Sequence, residues 1–305
     1  MELRRLTKKV RGRYGDFKEN PLTKRNPTAA LLKYLWINLR MHVLNQEIDL
    51  VFLDDVRCQI KKGDSISGNY FFNLYEYRDS LFLLHYLRPA DCFVDVGANV
   101  GHYALIAARK CGARVIAVEP VPETFRRLVN NIELNGLSGA GPAQIHARHV
   151  GLSDAAGVLN FTTNYHTANR VSTEPTPDST SVEVMALDDL CAGESLKLLK
   201  IDVEGYEKYV LRGATRHLAS QSLDAIIIEL NDSGREFGIE DEEVVALLRQ
   251  QGYSPYNYDP FTRELTSLTD KNEDGYNTIF VKNIDNVRAR VGRADKARIG
   301  KGLSL

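Results

Sequence analysis

Short apolar runs alternate along most of the chain with stretches in which apolar positions recur every three or four residues. Residues 92–94, 115–118, 145–150, 196–201, 225–230, 252–258 and 278–282 read as strands, most of them apolar at nearly every position, as strands covered on both faces require. Helices fit between them at 103–111, 122–135, 204–218 and 240–251, with another at 80–87 ahead of the first sheet strand. Strand–helix alternation of this kind predicts an α/β protein built on a doubly wound, mostly parallel sheet.

The N-terminal part follows other rhythms. Residues 51–53 and 56–60 flank Asp54-Asp55 and predict a hairpin. Leu31, Leu32, Leu35, Trp36 and Leu39 recur at helical spacing, but Lys33, Arg40 and His42 interrupt the apolar stretch 29–44, which is therefore neither a signal peptide nor a membrane span. The stripe predicts packing on the domain or on a second subunit; a membrane-surface helix with Lys33 and Arg40 snorkelling is the other reading. Residues 162–181, rich in Thr, Ser, Asn and Pro, lack periodicity and predict a long loop. Its Tyr165, His166, Asn169 and Arg170 either close over a polar acceptor or are solvated. The expected organisation is an N-terminal extension over 1–74, an α/β domain over 75–283 and a basic tail over 284–305.

Composition fits this picture: 305 residues, 43% hydrophobic and 26% charged, suit one large domain with an extension. A net charge of −1 gives no global attraction to nucleic acid, although both ends are locally basic, and residues 288–301 read as solvated charge. Cys58, Cys92, Cys111 and Cys191 are widely separated with no C-x-x-C pair, the pattern of a reduced, cytoplasmic protein.

The chemistry begins at Asp95-Val96-Gly97-Ala98-Asn99-Val100-Gly101, which turns an apolar strand into a helix. Gly97 and Gly101 let the main chain turn tightly against a ligand, and the helix that follows points its positive end at the same place. Glu119, at the end of the next strand, is placed to accept hydrogen bonds from two ribose hydroxyls. The loop is G-x-x-x-G preceded by an acid, with Asn99 where the central glycine of a dinucleotide fingerprint would stand. Asp95 would repel a pyrophosphate and suits the cationic groups of S-adenosyl-L-methionine. A tight turn without a ligand, and a nicotinamide-dependent oxidoreductase or epimerase, stay open on these residues.

A second centre stands where strand 196–201 ends, in Asp202-Val203-Glu204-Gly205-Tyr206-Glu207. Ligands of open α/β sheets bind beyond the carboxyl ends of strands, so Asp202 and Glu204 face the reacting group, and either can act as base for a hydroxyl. The alternative is local: Asp202 as a helix N-cap, with Glu204 and Glu207 favouring the helix start. Glu229 and Asn231 at the next strand end, with Asp202, offer three oxygen ligands to a Mg2+ ion that would lower the acceptor's pKa; otherwise they hydrogen-bond the acceptor or nearby loops. His102 is a further candidate base. His85, His146, His149 and His217 show no ligand spacing.

Taken in order, these pieces resemble the FkbM family of S-adenosylmethionine-dependent methyltransferases, over roughly Tyr75 to Lys282. The matching segments are Asp95 to Gly101, Val118-Glu119-Pro120, Asn131-Ile132-Glu133-Leu134-Asn135-Gly136, Leu187-Asp188-Asp189-Leu190, Leu199 to Glu207 and Ile228-Glu229. The resemblance implies a class I methyltransferase, a Rossmann-like seven-stranded sheet whose last strand runs antiparallel. It also implies cytoplasmic O-methylation of a sugar or natural-product hydroxyl. Carried over by position, Asp95, Gly97, Ala98, Asn99 and Gly101 correspond to the methionine and ribose loop, and Glu119, followed by Pro120, to the ribose acid. Ser153 and Asp154 fall in the segment beside the adenine, and Glu76 caps the methionine end. The set Asp202, Glu229 and Asn231 resembles the magnesium site of catechol O-methyltransferases. Amino methylation of bases usually shows an Asp/Asn-Pro-Pro-Tyr/Phe signature; Ile201-Asp202-Val203-Glu204 stands instead, so no nucleic-acid substrate is expected. A non-catalytic S-adenosylmethionine-binding protein stays open, and self-association is to be sought in the N-terminal extension.

Overall fold

In the computed structural model, which describes residues 2–139, 141, 143–163, 169–172, 177–275, 277–300 and 303–305 (backbone only for 2–8), the chain divides into two units. One comprises the residues up to Tyr77 with those from Arg298; the other runs from Arg78 to Ala297.

The first unit opens with α1 (Glu2–Glu19) and α2 (Pro27–Asn38), the latter continued by a π-helical turn, Leu39–Val43. The Asn26 side chain accepts from Ala29 N–H, and Pro27 takes the first helical position, where its missing N–H costs nothing. β1 (Ile48–Phe52) and β2 (Val56–Ile60) form the expected hairpin, each burying alternate residues, and α3 (Gly68–Phe72) follows. Phe17, Tyr34 and Phe71 meet edge to face at the centre. The helix α2 is apolar nearly all round, so periodicity alone does not choose its inner face. It buries Ala30, Tyr34 and Ile37, and Leu32, Leu35, Trp36 and Leu39, expected to pack, are exposed. Lys33 does not snorkel either: its ammonium donates to Asn73 Oδ1 at 3.2 Å and lies over Tyr70. The C-terminal segments Arg298–Gly300 and Leu303–Ser304 pair antiparallel.

In the second unit, α4 (Tyr77–Tyr86) leads into β3 (Cys92–Val96), every residue of which is buried, then α5 (His102–Cys111), β4 (Arg114–Val118), α6 (Pro122–Leu134) and β5 (Ile145–Arg148). β6 (Gly151–Ser153), β7 (Gly157–Thr162), β8 (Val171–Ser172) and β9 (Ser179–Ala186) form a separate sheet in the order β6-β9-β7-β8. After α7 (Leu187–Leu190) come β10 (Leu196–Ile201), α8 (Glu207–Arg212), α9 (Thr215–Ala219), β11 (Ala225–Glu229) and α10 (Asp241–Gln250). β12 (Ser254–Asp259), β13 (Glu264–Ser267), β14 (Asn277–Val281) and α11 (Ile284–Gly292) complete the unit. The main sheet runs β13-β12-β14-β11-β10-β3-β4-β5. β3, β4, β5, β10 and β11 are parallel, and β14 is antiparallel between β11 and β12.

Four expectations need correction. The sheet has eight strands rather than seven, because β13 adds outside β12 through a hairpin. The supposed loop 162–181 contains β8 and the start of β9: Phe161, Val171, Val182 and Val184 alternate with polar neighbours and bury one face, a period of two hidden by the Ser/Thr composition. Of its four candidate residues, Tyr165 and His166 lie outside the described residues. The helix expected over 204–218 is broken into α8 and α9 at Gly213, where a β-carbon would sit 2.1 Å from the Ser153 carbonyl oxygen. Finally, residues 288–301 are not simply solvated. Val287 and Val291 of α11 are buried, and Arg290 pairs with Asp91 over the Tyr86 ring. No described helix is long and apolar enough to cross a membrane.

Candidate active site

Strand β3 carries the site's first half. Beyond Val96 the chain enters three left-handed positions, Gly97 (φ 79°), Asn99 (φ 50°) and Gly101 (φ 101°), before α5 begins. Gly97 is needed for space as well as for its angle, since a β-carbon there would lie 1.9 Å from the Asp202 carbonyl oxygen. Gly97 N–H and Ala98 N–H both donate to Val118 O, and Gly101 N–H donates to Ala98 O. The buried Asp95 accepts from Ala104 N–H at 3.0 Å, tying its carboxylate to the first turn of α5. Glu119 accepts from Asn99 N–H through one oxygen and from Val121 N–H through the other, both at 3.0 Å. Burial pushes the Glu119 carboxyl up to about 7 against these two hydrogen bonds, which favour its charged form. Each oxygen keeps a lone pair for a diol. Pro120 O faces His149 Nε2 at 3.1 Å, and Ser153 Oγ donates to Asp154 Oδ1 while also bonding the Tyr206 side chain.

The second half stands at the ends of β10 and β11. One carboxylate oxygen from each of Asp202, Glu204 and Glu229 comes within 4.8 Å of the others. Asp202 is locked to the strand order by its N–H, which donates to Val96 O on β3. Glu204 is held in the left-handed region (φ 54°), and Gly205 behind it (φ 101°) has no room for a β-carbon beside Ser233 O. Glu207 braces this bend by accepting from Val203 N–H and Gly205 N–H, both at 3.1 Å. Its role is thus structural, and burial pushes its carboxyl up to about 7.

Crowding sets the charge of the trio. Burial, then repulsion by Asp202, raises Glu204 to about 7. Burial and repulsion from Asp202 and Glu204 raise Glu229 further, to about 10, so it holds its proton at neutral pH; Glu229 Oε2 has no hydrogen-bond partner among the described residues. The Lys200 ammonium, buried over the Tyr103 ring, donates to Asp202 Oδ2 at 2.7 Å. Sequence reasoning gave Lys200 no role. A lysine one residue from the end of a strand apolar but for it and Lys197 was the available signal, because a buried cation needs a partner.

Asn231 follows β11, and its Oδ1 accepts from Ser233 N–H at 3.0 Å; Glu204 is the third carboxylate beside Asp202 and Glu229. The cation placed at the cluster is the Lys200 ammonium. His102 is buried and hydrogen-bonds Ser80 of α4 at 2.9 Å, outside the trio. Glu76, with φ 42°, belongs to the N-terminal unit.

A glycine-lined turn after β3, carboxylates at the ends of β10 and β11, and an antiparallel strand set between β11 and β12 are arranged as in the class I methyltransferase fold. Residues 95–255 match the Methyltransferase FkbM domain, and the chain belongs to that family. It is 33% identical over 171 residues to the hexuronic acid methyltransferase AglP of Haloferax volcanii, covering 55% of this chain and 65% of that protein. Methyltransferase 1 of Beauveria bassiana is 31% identical over 195 residues (54% and 74%). The 31-O-demethyl-FK506 methyltransferase FkbM of Streptomyces tacrolimicus is 29% identical over 216 residues (58% and 79%). Membership sets aside the nicotinamide reading.

Proposed function

We propose that the protein is an S-adenosylmethionine-dependent O-methyltransferase acting on a hydroxyl of a small molecule or glycan. The observation that carries this reading is the abutment of the glycine turn on the carboxylate strand, with Gly97 against Asp202 O and Asp202 N–H on Val96 O. It supports the reading because the glycine turn and the carboxylates then stand at adjoining strand ends, as a donor site beside a base requires. Asp95, Gly97, Ala98, Asn99 and Gly101 would hold the methionine and ribose parts, Glu119 the ribose diol, and Pro120, Ser153 and Asp154 the adenine side. S-adenosylmethionine bound there supplies an electrophilic methyl group on a cationic sulfur.

The three acids divide the remaining work by charge. Glu204, at about 7, is half ionised near neutrality and takes the hydroxyl proton as the oxygen attacks. Asp202, clasped by Lys200, is the fixed anion that orients the hydroxyl. Glu229 keeps its own proton, which its hydrogen bond to Asp202 engages, and so adds no second charge to the cluster. This supports transfer without a metal-bound acceptor, and the Mg2+ set Asp202, Glu229 and Asn231 gains no support from the geometry of Asn231. The named activities of AglP and FkbM support a sugar or natural-product acceptor.

The test begins with calorimetry of the full chain against S-adenosylhomocysteine: heat that vanishes in Glu119→Ala is expected, and no heat with wild type sinks the reading. Methyl transfer to a panel of neutral and uronic-acid saccharides is then followed by mild base. An ether survives that treatment, whereas a methyl ester is cleaved and would place the transfer on a carboxyl oxygen instead.

A further inference from the structure

The N-terminal unit lies outside residues 95–255, and two of its properties coincide. The first is an apolar stripe in contact with solvent. Leu32, Leu35, Trp36, Leu39 and Val43 follow one another at helical spacing, on the side of α2 and its π-helical turn opposite the buried Ala30, Tyr34, Ile37 and Met41. These five, with Leu44 after them, are 42% to 71% exposed, and a patch of that composition on a protein surface marks a contact. The second is charge. Residues 1–77 and 298–305 hold 16 Lys and Arg against 9 Asp and Glu, whereas residues 78–297 hold 23 against 31. A chain that is nearly neutral overall is therefore strongly polarised.

The cations border the stripe. Lys9 and Lys62, both exposed, lie close enough to His42, on the π-helical turn, to join its partial burial in lowering its pKa. Arg40, on the flank of the same turn, holds Gln46. Exposed Glu47 and Asp49 come past the stripe, on the way into and along β1.

We propose that this face docks on an anionic lipid bilayer, with Trp36 and the leucines entering the interfacial layer and the surrounding lysines and arginines meeting headgroups. The stripe is the side of a helix, a convex surface that suits a plane better than a protein segment seeking a groove. An isologous dimer through the same stripe would set two cationic units against each other. A polyanion without an apolar layer would leave the leucines in water. The other unit, net negative, has no such attraction to the bilayer, so docking belongs to the N-terminal unit.

Trp36 is the sole tryptophan, so emission reports on this position directly. The full chain is titrated with vesicles of phosphatidylcholine alone and of phosphatidylcholine with phosphatidylglycerol. A blue shift and co-sedimentation with the anionic vesicles only are expected, with binding weakened by added salt. The double variant Leu32→Glu/Leu39→Glu, at exposed positions, should lose at least about a hundredfold in binding. Lys9→Glu and Lys62→Glu should each lose roughly fivefold or more. All variants should keep the wild-type melting curve and the wild-type S-adenosylhomocysteine heat, if any, so the outcome is independent of the proposed activity. The inference is overturned if wild type shows no shift with anionic vesicles, or if the double variant binds as well. A shift that follows protein concentration without lipid, with a doubled mass, overturns it in favour of a second copy, and an equal response to duplex DNA does so in favour of a nucleic acid.

Discussion

The two halves of the site are built from different materials. The turn after β3 is main chain: its positions are set by left-handed backbone, by N–H groups on Val118 O and by the absence of a side chain at Gly97. The ends of β10 and β11 are side chain: three carboxyl groups and one ammonium whose protonation states depend on one another. Geometry governs the first half and proton distribution governs the second. The donor side should therefore fail by steric change and feel pH only through Glu119, and the acceptor side should tolerate isosteres and follow pH.

The largest effect belongs to Gly97→Ala. Its new methyl group must displace the Asp202 carbonyl and sit at φ 79°, so a loss of roughly 3 kcal/mol or more of stability is expected, together with loss of S-adenosylhomocysteine heat. Wild-type binding by this variant would break the comparison at its firmest point. Next is Glu204→Gln, which removes the base but little volume. Turnover should fall by about 10²- to 10⁴-fold with S-adenosylhomocysteine affinity kept. In wild type, kcat should rise with pH through about 7 and level off above it, as Glu204 ionises, and a steady-state pH series on the variant should lack that limb.

Lys200→Met sharpens the same point. The ammonium favours the charged forms of Glu204 and Glu229, so its removal should move the activity limb upward by roughly one pH unit, read from the same series. For folding, Glu119, Glu204 and Glu207 have pKa values raised from 4.5 to about 7, so the folded state binds more protons than the unfolded chain between those values. Their contribution is whole below about pH 4.5 and is lost as pH rises through 7. Thermal melts should show stability from these groups declining across that window, and Glu207→Gln should flatten the decline. The smallest change is expected from Glu229→Gln. Glu229 already carries a proton at neutral pH, so kcat should stay within severalfold of wild type; a collapse like that of Glu204→Gln would mean that Glu229 works as an anion.

The same division explains what could be read from the chain. Glycines at 97 and 101 announce a tight strand-to-helix turn because local backbone geometry demands them, and the acid at 119 closes that turn by accepting from Asn99 N–H. The apolar strands announce the sheet because both of its faces are covered. The acids at 202, 204 and 229 were visible as acids, but their grouping depends on the pairing of two strands, β10 and β11, and on side-chain directions that no spacing encodes. Lys200 was hidden for the same reason: the strand also carries Lys197, which pairs with Asp224, and no spacing tells which lysine reaches the acids. The β6–β9 sheet was missed because Ser and Thr occupy its outer positions, although Val182, Val184 and Ala186 alternate inward. The break at Gly213 answers to Ser153, sixty residues earlier, and left only an ordinary glycine in the sequence.

The contact between Gly97 and the Asp202 carbonyl has a mechanical corollary. With the two halves joined through peptide groups, exchanging the side chains at either strand end leaves the spacing between those ends unaltered, whereas a shift of the main chain at one end is passed to the other.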